Sequence, residues 1–303
     1  MPKEVKLPEP EKDLNFIDVH CHLPFPRPNK NDRLPPDKVQ FKQYFDEGGL
    51  FLITSTIDMN TLKMTLDFIN GKEMMGFCCG WAPQTVTYTH SHKYSKEWEK
   101  WKEYVMTNVK DFLAIGEIGL DFHHARTLEK RESQVNELEK IFELTKDLGK
   151  PYILHVRNAA PHEMDNQHPE HHFNKDDGAT KEMLRILEKY RINPGKVMWH
   201  CFSGPDIYGS LFSQQGYYLS VPSSAFGVKK WRKVTKNASI ESLVTETDSY
   251  YQHPYLRGPV NVPSNVKYSI AAIAYSHGIS QKEVSKKTIE NAIKFFNLPI
   301  TEY

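Results

Sequence analysis

The chain has 303 residues, of which 39% are hydrophobic and 12% aromatic, and its formal net charge at pH 7 is +1. The length suits one large α/β domain or two smaller ones, and the near-zero charge gives no global argument for nucleic-acid binding, although it leaves room for a local basic patch. No apolar run approaches the roughly 18 residues of a membrane span, and residues 1–13 form a polar lead-in without the apolar segment of a signal peptide. We therefore expect a cytoplasmic protein without membrane contact.

Eight segments rich in strand-forming residues follow one another along the chain, and helical patterns separate most of them. The strands are predicted at 16–22, 50–56, 74–81, 113–120, 152–158, 196–202, 217–222 and 242–247. The helices are predicted at 38–48, 59–72, 96–112, 128–148, 179–191, 205–215, 228–237, 264–277 and 281–296. Strands that alternate with helices form a parallel sheet, and eight is the number that closes into a barrel. The sequence therefore predicts a single (β/α)8 TIM barrel that occupies residues 1–303.

The four cysteines fall inside predicted strands and do not form a disulfide framework in a chain of this size. Because neighbouring strand residues point to opposite faces, Cys78 and Cys79 cannot both face the barrel interior. The same alternation turns Cys21 and Cys201 toward the outer helices. We expect all four to be small buried thiols.

Histidines and acids stand at or near the carboxyl ends of five predicted strands, which is where barrel active sites lie. Two of the histidines are spaced i, i+2 and so share one face of their strand. Four imidazoles and two carboxylates exceed the roughly three protein ligands of one hydrolytic ion. They suit a pair of divalent ions about 3.5–4 Å apart that share a bridging carboxylate. The six candidate ligands are His20, His22, Glu117, His155, His200 and Asp248.

One connection, residues 159–178, is long, polar and rich in histidine, and it follows the fifth strand on the predicted active-site face. A loop of this length without a pattern of its own is often functional or mobile. A functional loop and a disordered surface insertion are both compatible with its sequence.

Two further features could contact a nucleic acid. The basic stretch VKKWRKVTK at 228–236 reads as a solvated helix face, or as a DNA-backbone track with Trp231 as a stacking platform. Tyr250, Tyr251 and Tyr255 follow Asp248 on the same rim, where they could stack on bases or only pack the loop.

Several motifs in chain order resemble the TatD-like metal-dependent deoxyribonucleases, a branch of the amidohydrolase-like barrels. The resemblance covers nearly the whole chain, and GEIGLD, HCFSG and ETDS in this order are highly specific together. The motifs are DVHCH at 18–22, GEIGLDF at 116–122, HVRNA at 155–159, HCFSG at 200–204, ETDS at 246–249 and RGPVNVP at 257–263.

The resemblance implies a division of the six ligands between two metals. In the family pattern His20 and His22 bind one metal, Glu117 bridges both, and His155 and His200 bind the second. Asp248 lies at the site as a ligand or as a proton acceptor. The chain departs from the family pattern only at positions that are not ligands, and these departures put substrate binding and specificity in doubt. The positions are Ala82, Val156, Asn158, Tyr250 and Val262.

The activity implied by the resemblance is metal-dependent cleavage of DNA, and we expect a monomeric 3′–5′ exonuclease that acts on single strands. A metal-bound hydroxide would attack phosphorus, with Asp248 and Glu117 as the catalytic residues and two Mg²⁺, Mn²⁺ or Zn²⁺ ions as cofactors. Arg157 and Ser203 are the predicted substrate contacts, although a structural ion pair explains Arg157 equally well. Two alternatives stay open: an ester or amide hydrolase such as an aminoacyl-tRNA deacylase, and a non-catalytic binding protein on the same barrel.

Overall fold

A computed structural model describes residues 6–25, 34–88, 91–255 and 260–303. Its centre is one sheet of parallel strands whose spatial order is their chain order, and the helices lie between successive strands. This is the predicted (β/α)8 barrel. Its strands are β1 Phe16–Cys21, β2 Gly49–Ser55, β3 Met75–Cys79, β4 Ala114–Asp121, β5 Tyr152–Arg157, β6 Val197–His200, β7 Tyr218–Pro222 and β8 Leu243–Glu246.

The barrel closes where the segments after β1 and β8 meet. The Asp248 N–H donates to the His20 carbonyl at 2.9 Å, and the His22 N–H donates to the Ser249 carbonyl at 2.8 Å. These backbone bonds join the two segments that carry three of the six candidate ligands. The spacing of those ligands is therefore set by main-chain geometry.

The helices agree with their predicted positions except around α3 and α4. In the described residues they are α1 Asp37–Asp46, α2 Met59–Ile69, α3 Pro83–Tyr88, α4 Ser91–Thr107, α5 Leu128–Thr145, α6 Gly178–Lys189, α7 Ile207–Gln215, α8 Lys229–Asn237, α9 Lys267–His277 and α10 Gln281–Phe296. Helix α3 was not predicted, because it is a single short piece rich in β-branched residues. Helix α4 ends before residue 112, since the side chain of Asn108 bonds back to the Tyr104 carbonyl at 3.0 Å.

Two apolar layers follow from the alternation of side chains along each strand. The inner layer takes residues from all eight strands and is completed by α10, so the barrel is filled from the amino ends of its strands. Cys78 belongs to this inner layer, whereas Cys21 and Cys79 belong to the outer one, as predicted. Cys201 packs against the outer layer as predicted, but its thiol is only partly buried, because β6 ends at His200.

The 159–178 connection has a defined structure that is held partly by hydrogen bonds of its polar side chains. The Asp165 N–H donates to Asn174 Oδ1 at 3.0 Å, and Asn174 Nδ2 donates to the Asp165 carbonyl at 3.1 Å. Asp165 Oδ2 also accepts from the Leu128 N–H at 2.7 Å, at the first turn of α5. The structure therefore argues against a disordered surface insertion and shows a loop that is attached to the start of α5.

Three sequence predictions remain, on the polar lead-in, the RGPVNVP motif and membrane spans. Within the lead-in, residues 6–13 contain no helix or strand, and the Glu11 N–H donates to the Gln281 side chain at 2.9 Å. The first part of RGPVNVP, residues 257–259, lies outside the described residues. None of the helices described here combines the length and apolar character that a membrane span requires.

Candidate metal centre

The structure brings five of the six predicted ligands into two overlapping groups at the carboxyl end of the barrel. His20, His22 and Asp248 form one group, and His20, Glu117 and His200 form the other, with the ligand atoms of each group within 4.8 Å of one another. All five are buried. His200 therefore lies with His20, on which its ring stacks at 3.6 Å between centroids, and its ring is 6.1 Å from that of His155.

The two carboxylate oxygens of Glu117 face different histidines. Oε1 lies 2.7 Å from His155 Nδ1, whereas Oε2 lies 3.5 Å from His20 Nε2 and 3.6 Å from His22 Nε2. A carboxylate that presents each oxygen to a separate set of imidazoles has the orientation that bridging two cations requires. His155, which lies outside both groups, is thus connected to them through Glu117.

Three of the histidines are oriented by hydrogen bonds on the nitrogen that faces away from the centre. Nδ1 of His20 lies 3.0 Å from the Ser55 hydroxyl, and Nδ1 of His22 lies 3.1 Å from the Ser55 carbonyl. Nδ1 of His200 lies 2.6 Å from the buried carboxylate of Glu246. Such contacts select the tautomer and leave Nε2 for a metal. The sequence reasoning missed Ser55 and Glu246, although Glu246 stands inside the ETDS motif.

His155 is oriented by a second buried carboxylate, that of Asp121. Its Nε2 lies 3.0 Å from Asp121 Oδ2, an atom that also accepts from Gln84 Nε2 at 2.8 Å and lies 2.8 Å from His124 Nδ1. Asp121 therefore orients His155, and through the His124 N–H, which donates to its Oδ1 at 3.0 Å, it also orders the segment after β4. Gln84 was missed, because it lies on the unpredicted helix α3.

The donor set fits a divalent metal. Nε2 of His20 is fully buried and has no hydrogen-bond partner among the described residues, although the side chain is held firmly on its other nitrogen. A buried polar atom without a partner costs free energy unless a ligand completes it. Here the surrounding atoms are imidazole nitrogens and carboxylate oxygens, which are the ligands of catalytic zinc and manganese sites.

The buried groups shift one another's pKa values in opposite directions. Burial and the stacked His200 ring lower the pKa of His20 to about 3. Burial also opposes the charged forms of His155 and His200, but neighbouring carboxylates raise the pKa of His155 to about 10 and that of His200 to about 9, led by Asp121 and Glu246 respectively. A cation that binds these nitrogens must displace their protons, so metal affinity falls as the pH is lowered.

The predicted substrate contacts lie at the rim of the same face. Arg157 is exposed at the end of β5 and forms no ion pair with any residue that the structure describes, which argues against a purely structural role. Ser203 is partly exposed, three residues beyond β6. Tyr250 is buried, whereas Tyr251 is 56% exposed and its ring centroid lies 6.1 Å from that of His22.

The stacking platform suggested for α8 is excluded. Trp231 is buried, and its indole N–H donates to the Cys201 carbonyl at 3.3 Å. It therefore belongs to the core that supports β6, and only the charged face of α8 meets solvent.

Comparison with known proteins agrees with this geometry. A family model described as TatD related DNase matches residues 17–297. An uncharacterised metal-dependent hydrolase of Methanocaldococcus jannaschii is 25% identical over 285 residues, which cover 94% of this chain and 98% of that protein. The human deoxyribonuclease TATDN3 is 32% identical over 195 residues, which cover 63% of each protein, less than two thirds of either.

Solved structures share the fold. A TatD family hydrolase from Entamoeba histolytica superposes with a TM-score of 0.76 at 19% identity, covering 94% of this chain and 99% of that one. A TatD homologue from Escherichia coli gives a TM-score of 0.73 at 21% identity, covering 94% and 98% respectively. With the family model matching most of the chain, the protein belongs to the TatD related DNase family of metal-dependent hydrolases.

Proposed function

We propose that this protein is a deoxyribonuclease that removes nucleotides from the 3′ end of single-stranded DNA with two divalent metal ions. The observation that carries the proposal is the placement of Glu117, whose two oxygens face separate histidines in a buried, carboxylate-containing centre. The name of the human relative, a deoxyribonuclease, supports DNA as the substrate.

The ligand set divides by role. His20, His22, His155 and His200 would hold the ions, with Glu117 between them. When bound, the ions supply water activation and charge neutralisation for a phosphodiester. Asp248, whose Oδ1 lies 3.3 Å from His22 Nε2, would also ligate and would accept the proton of the attacking water. Histidine-rich ligation favours Zn²⁺ or Mn²⁺ over Mg²⁺, which prefers oxygen ligands.

The rim supplies groups for the rest of the substrate. The guanidinium of Arg157, at the end of β5, forms no ion pair with a described residue, which suits bidentate contact with a phosphate. Ser203 is placed to donate its hydroxyl to a phosphate oxygen. Tyr251 offers an exposed ring beside His22, and an unstacked base of a single strand can stack on such a ring.

The proposal is tested by end-resolved digestion of labelled single-stranded DNA. Protein stripped with a chelator is given Mg²⁺, Mn²⁺ or Zn²⁺, and its bound metal is counted. Metal-dependent release of mononucleotides from the 3′ end would support the proposal, and release from the 5′ end or internal cutting would contradict its polarity. If protein that binds two ions releases nothing with any metal, the function is wrong, and ester and amide substrates become the next to test.

Replacement of Tyr251 by alanine is expected to weaken substrate binding without changing the metal site. Loss of one base-stacking contact costs about 1–3 kcal/mol, so KM for DNA should rise by roughly tenfold while kcat and metal content stay near the wild-type values. The Tyr251→Phe variant keeps the ring and should behave like the wild type. Steady-state kinetics on an oligonucleotide of thymidine would measure both, and an equal loss in the two variants would assign the effect to the hydroxyl.

A further inference from the structure

The rim beside β4 and β5 carries a second arrangement that the hydrolytic centre does not use. Asp121 and Arg157 are register partners in these strands, and the Phe122 N–H donates to the Arg157 carbonyl at 2.9 Å. The next residue, His123, is thereby placed beside Arg157. Burial and the nearby charge of Arg157 both lower the pKa of His123.

A buried carboxylate from the 159–178 connection holds His123 in this place. Nδ1 of His123 contacts Oε1 of Glu163, a residue that is only 4% exposed. The other oxygen, Oε2, accepts from the Ala160 N–H at 2.9 Å, so the carboxylate is itself fixed. With Nδ1 engaged, Nε2 is the nitrogen that remains for a ligand, and the carboxylate behind the ring favours protonation when an anion arrives.

The position of this pair relative to the metal centre defines what it can bind. Arg157 lies two residues beyond His155 on the same face of β5, a rise of roughly 6.6 Å. His123 connects back to the same ligand, since its ring lies 4.5 Å from that of His124, and His124 contacts Asp121, which orients His155. His123 and Arg157 therefore lie on the rim beside the hydrolytic centre, two strand residues beyond the ligand His155.

We infer that His123 and Arg157 form a subsite for the phosphodiester next to the scissile one, and that Glu163 is its positioning residue. This rests on the proposed function. An anion between the two side chains would offset the charge of Arg157, favour the protonated form of His123 and accept hydrogen bonds from both. Neighbouring phosphates of a strand are separated by one sugar, so a phosphodiester next to the one at the metals could reach a subsite two strand residues beyond His155. The protein should then distinguish substrates by the number of their phosphodiesters.

The test compares binding of thymidine dinucleotide and trinucleotide, which contain one and two phosphodiesters. Unlabelled oligonucleotides whose linkages are phosphorothioates, which slow hydrolysis, are titrated by isothermal titration calorimetry near neutral pH into metal-loaded protein, and chromatography afterwards verifies that they are intact. Wild type should bind the trinucleotide about tenfold more tightly, as one charge-assisted contact contributes roughly 1.4 kcal/mol. The His123→Ala variant should lose that tenfold gain and keep the wild-type affinity for the dinucleotide. For the trinucleotide, the slope of log K against the logarithm of the salt concentration should become less steep by about 0.7.

The matched control is His162→Ala. His162 lies 3.5 Å from the same Glu163 oxygen, but its side chain is 77% exposed, so its loss should leave the length dependence unchanged. Glu163→Gln should weaken the gain only in part. The inference would be overturned if His123→Ala weakened the binding of the dinucleotide and the trinucleotide equally, or if it weakened the binding of neither. If wild type degrades DNA but shows no gain with length, the inference alone fails, whereas absence of any cleavage removes the proposed function and this subsite together.

Discussion

Replacing Glu117 by glutamine is expected to lower kcat for DNA hydrolysis on the order of a thousandfold. The substitution keeps the size of the side chain but removes the negative charge that both oxygens share. Oε1 lies 2.7 Å from His155 Nδ1, and Oε2 lies 3.5 Å from His20 Nε2. A neutral amide has one acceptor oxygen, so it cannot serve both sides, and its NH₂ group would face a cation or an imidazole.

Metal content and kinetics should change together in this variant. Elemental analysis after dialysis should find fewer bound ions per chain than in the wild type, because a bridging ligand contributes to both sites. The folded structure should persist, since glutamine fits the same space, and circular dichroism and the thermal midpoint would verify this. The control is Glu137→Gln, which changes another buried carboxylate, 3% exposed, on α5 and outside the metal groups. It should retain metal and activity.

The outcome of Glu117→Gln separates two explanations of the site. Full activity with both ions bound would mean that Glu117 is not the bridge and that another carboxylate, such as Asp248, connects the ions. Loss of activity with metal content unchanged would assign to Glu117 a role in the chemical step. Only a joint loss agrees with the bridging orientation of its two oxygens.

The barrel, and the approach of five of the six candidate ligands to one another, were predictable because both depend on short-range regularities. The period-2 alternation of a strand decides which residues share a face, and parallel strands bring their carboxyl ends together. His20 and His22 illustrate this, since they fall in one group although the pairing of β1 with β2 is irregular between Asp18 and Cys21. The resemblance implies that His155 and His200 share a metal, whereas here His200 stacks on His20, a contact between distant strands that the local pattern does not indicate.

The supporting residues outside the motifs could not be found in the sequence, because their partners are distant along the chain. Ser55, which orients both His20 and His22, is an ordinary residue at a strand end. Gln84 reaches Asp121 from a helix too short to give a periodic signal. Trp231 is flanked in the sequence by basic residues, yet its side chain is buried because it packs against the core of the barrel. In each case tertiary contact overrides what the local pattern indicates.

Replacing Arg131 by methionine is expected to lower the free energy of unfolding by about 3–5 kcal/mol. Arg131 is fully buried on α5 and forms no ion pair within the described part of the chain. Instead its guanidinium is surrounded by main-chain carbonyls. Nε donates to the Ala125 carbonyl at 2.8 Å, and Nη2 donates to the main-chain carbonyl of Glu163 at 2.9 Å. Nη1 donates to Phe173 at 3.3 Å.

These bonds join the segment after β4 to both ends of the 159–178 connection. Methionine has a similar volume but no donor, so it would leave several buried carbonyls without a partner, and each costs roughly 1–3 kcal/mol. The Arg131→Lys variant has one ammonium that cannot reach the same set of acceptors, and it should fall between the two. Chemical denaturation would measure all three proteins, with Arg126→Met as the control, since the side chain of Arg126 is 62% exposed.

Limited proteolysis would show where the lost stability resides. If Arg131 mainly secures the 159–178 connection, Arg131→Met should be cleaved within these residues before the barrel unfolds, because local opening costs less than global unfolding. Glu163 would then no longer be held beside His123, and the length-dependent gain in DNA affinity should disappear while the metal content stays at the wild-type level. Cleavage spread over the whole chain would instead assign Arg131 to the barrel itself. Wild-type stability with an intact connection would mean that the Asp165–Asn174 bonds suffice, and the buried cation would need another explanation.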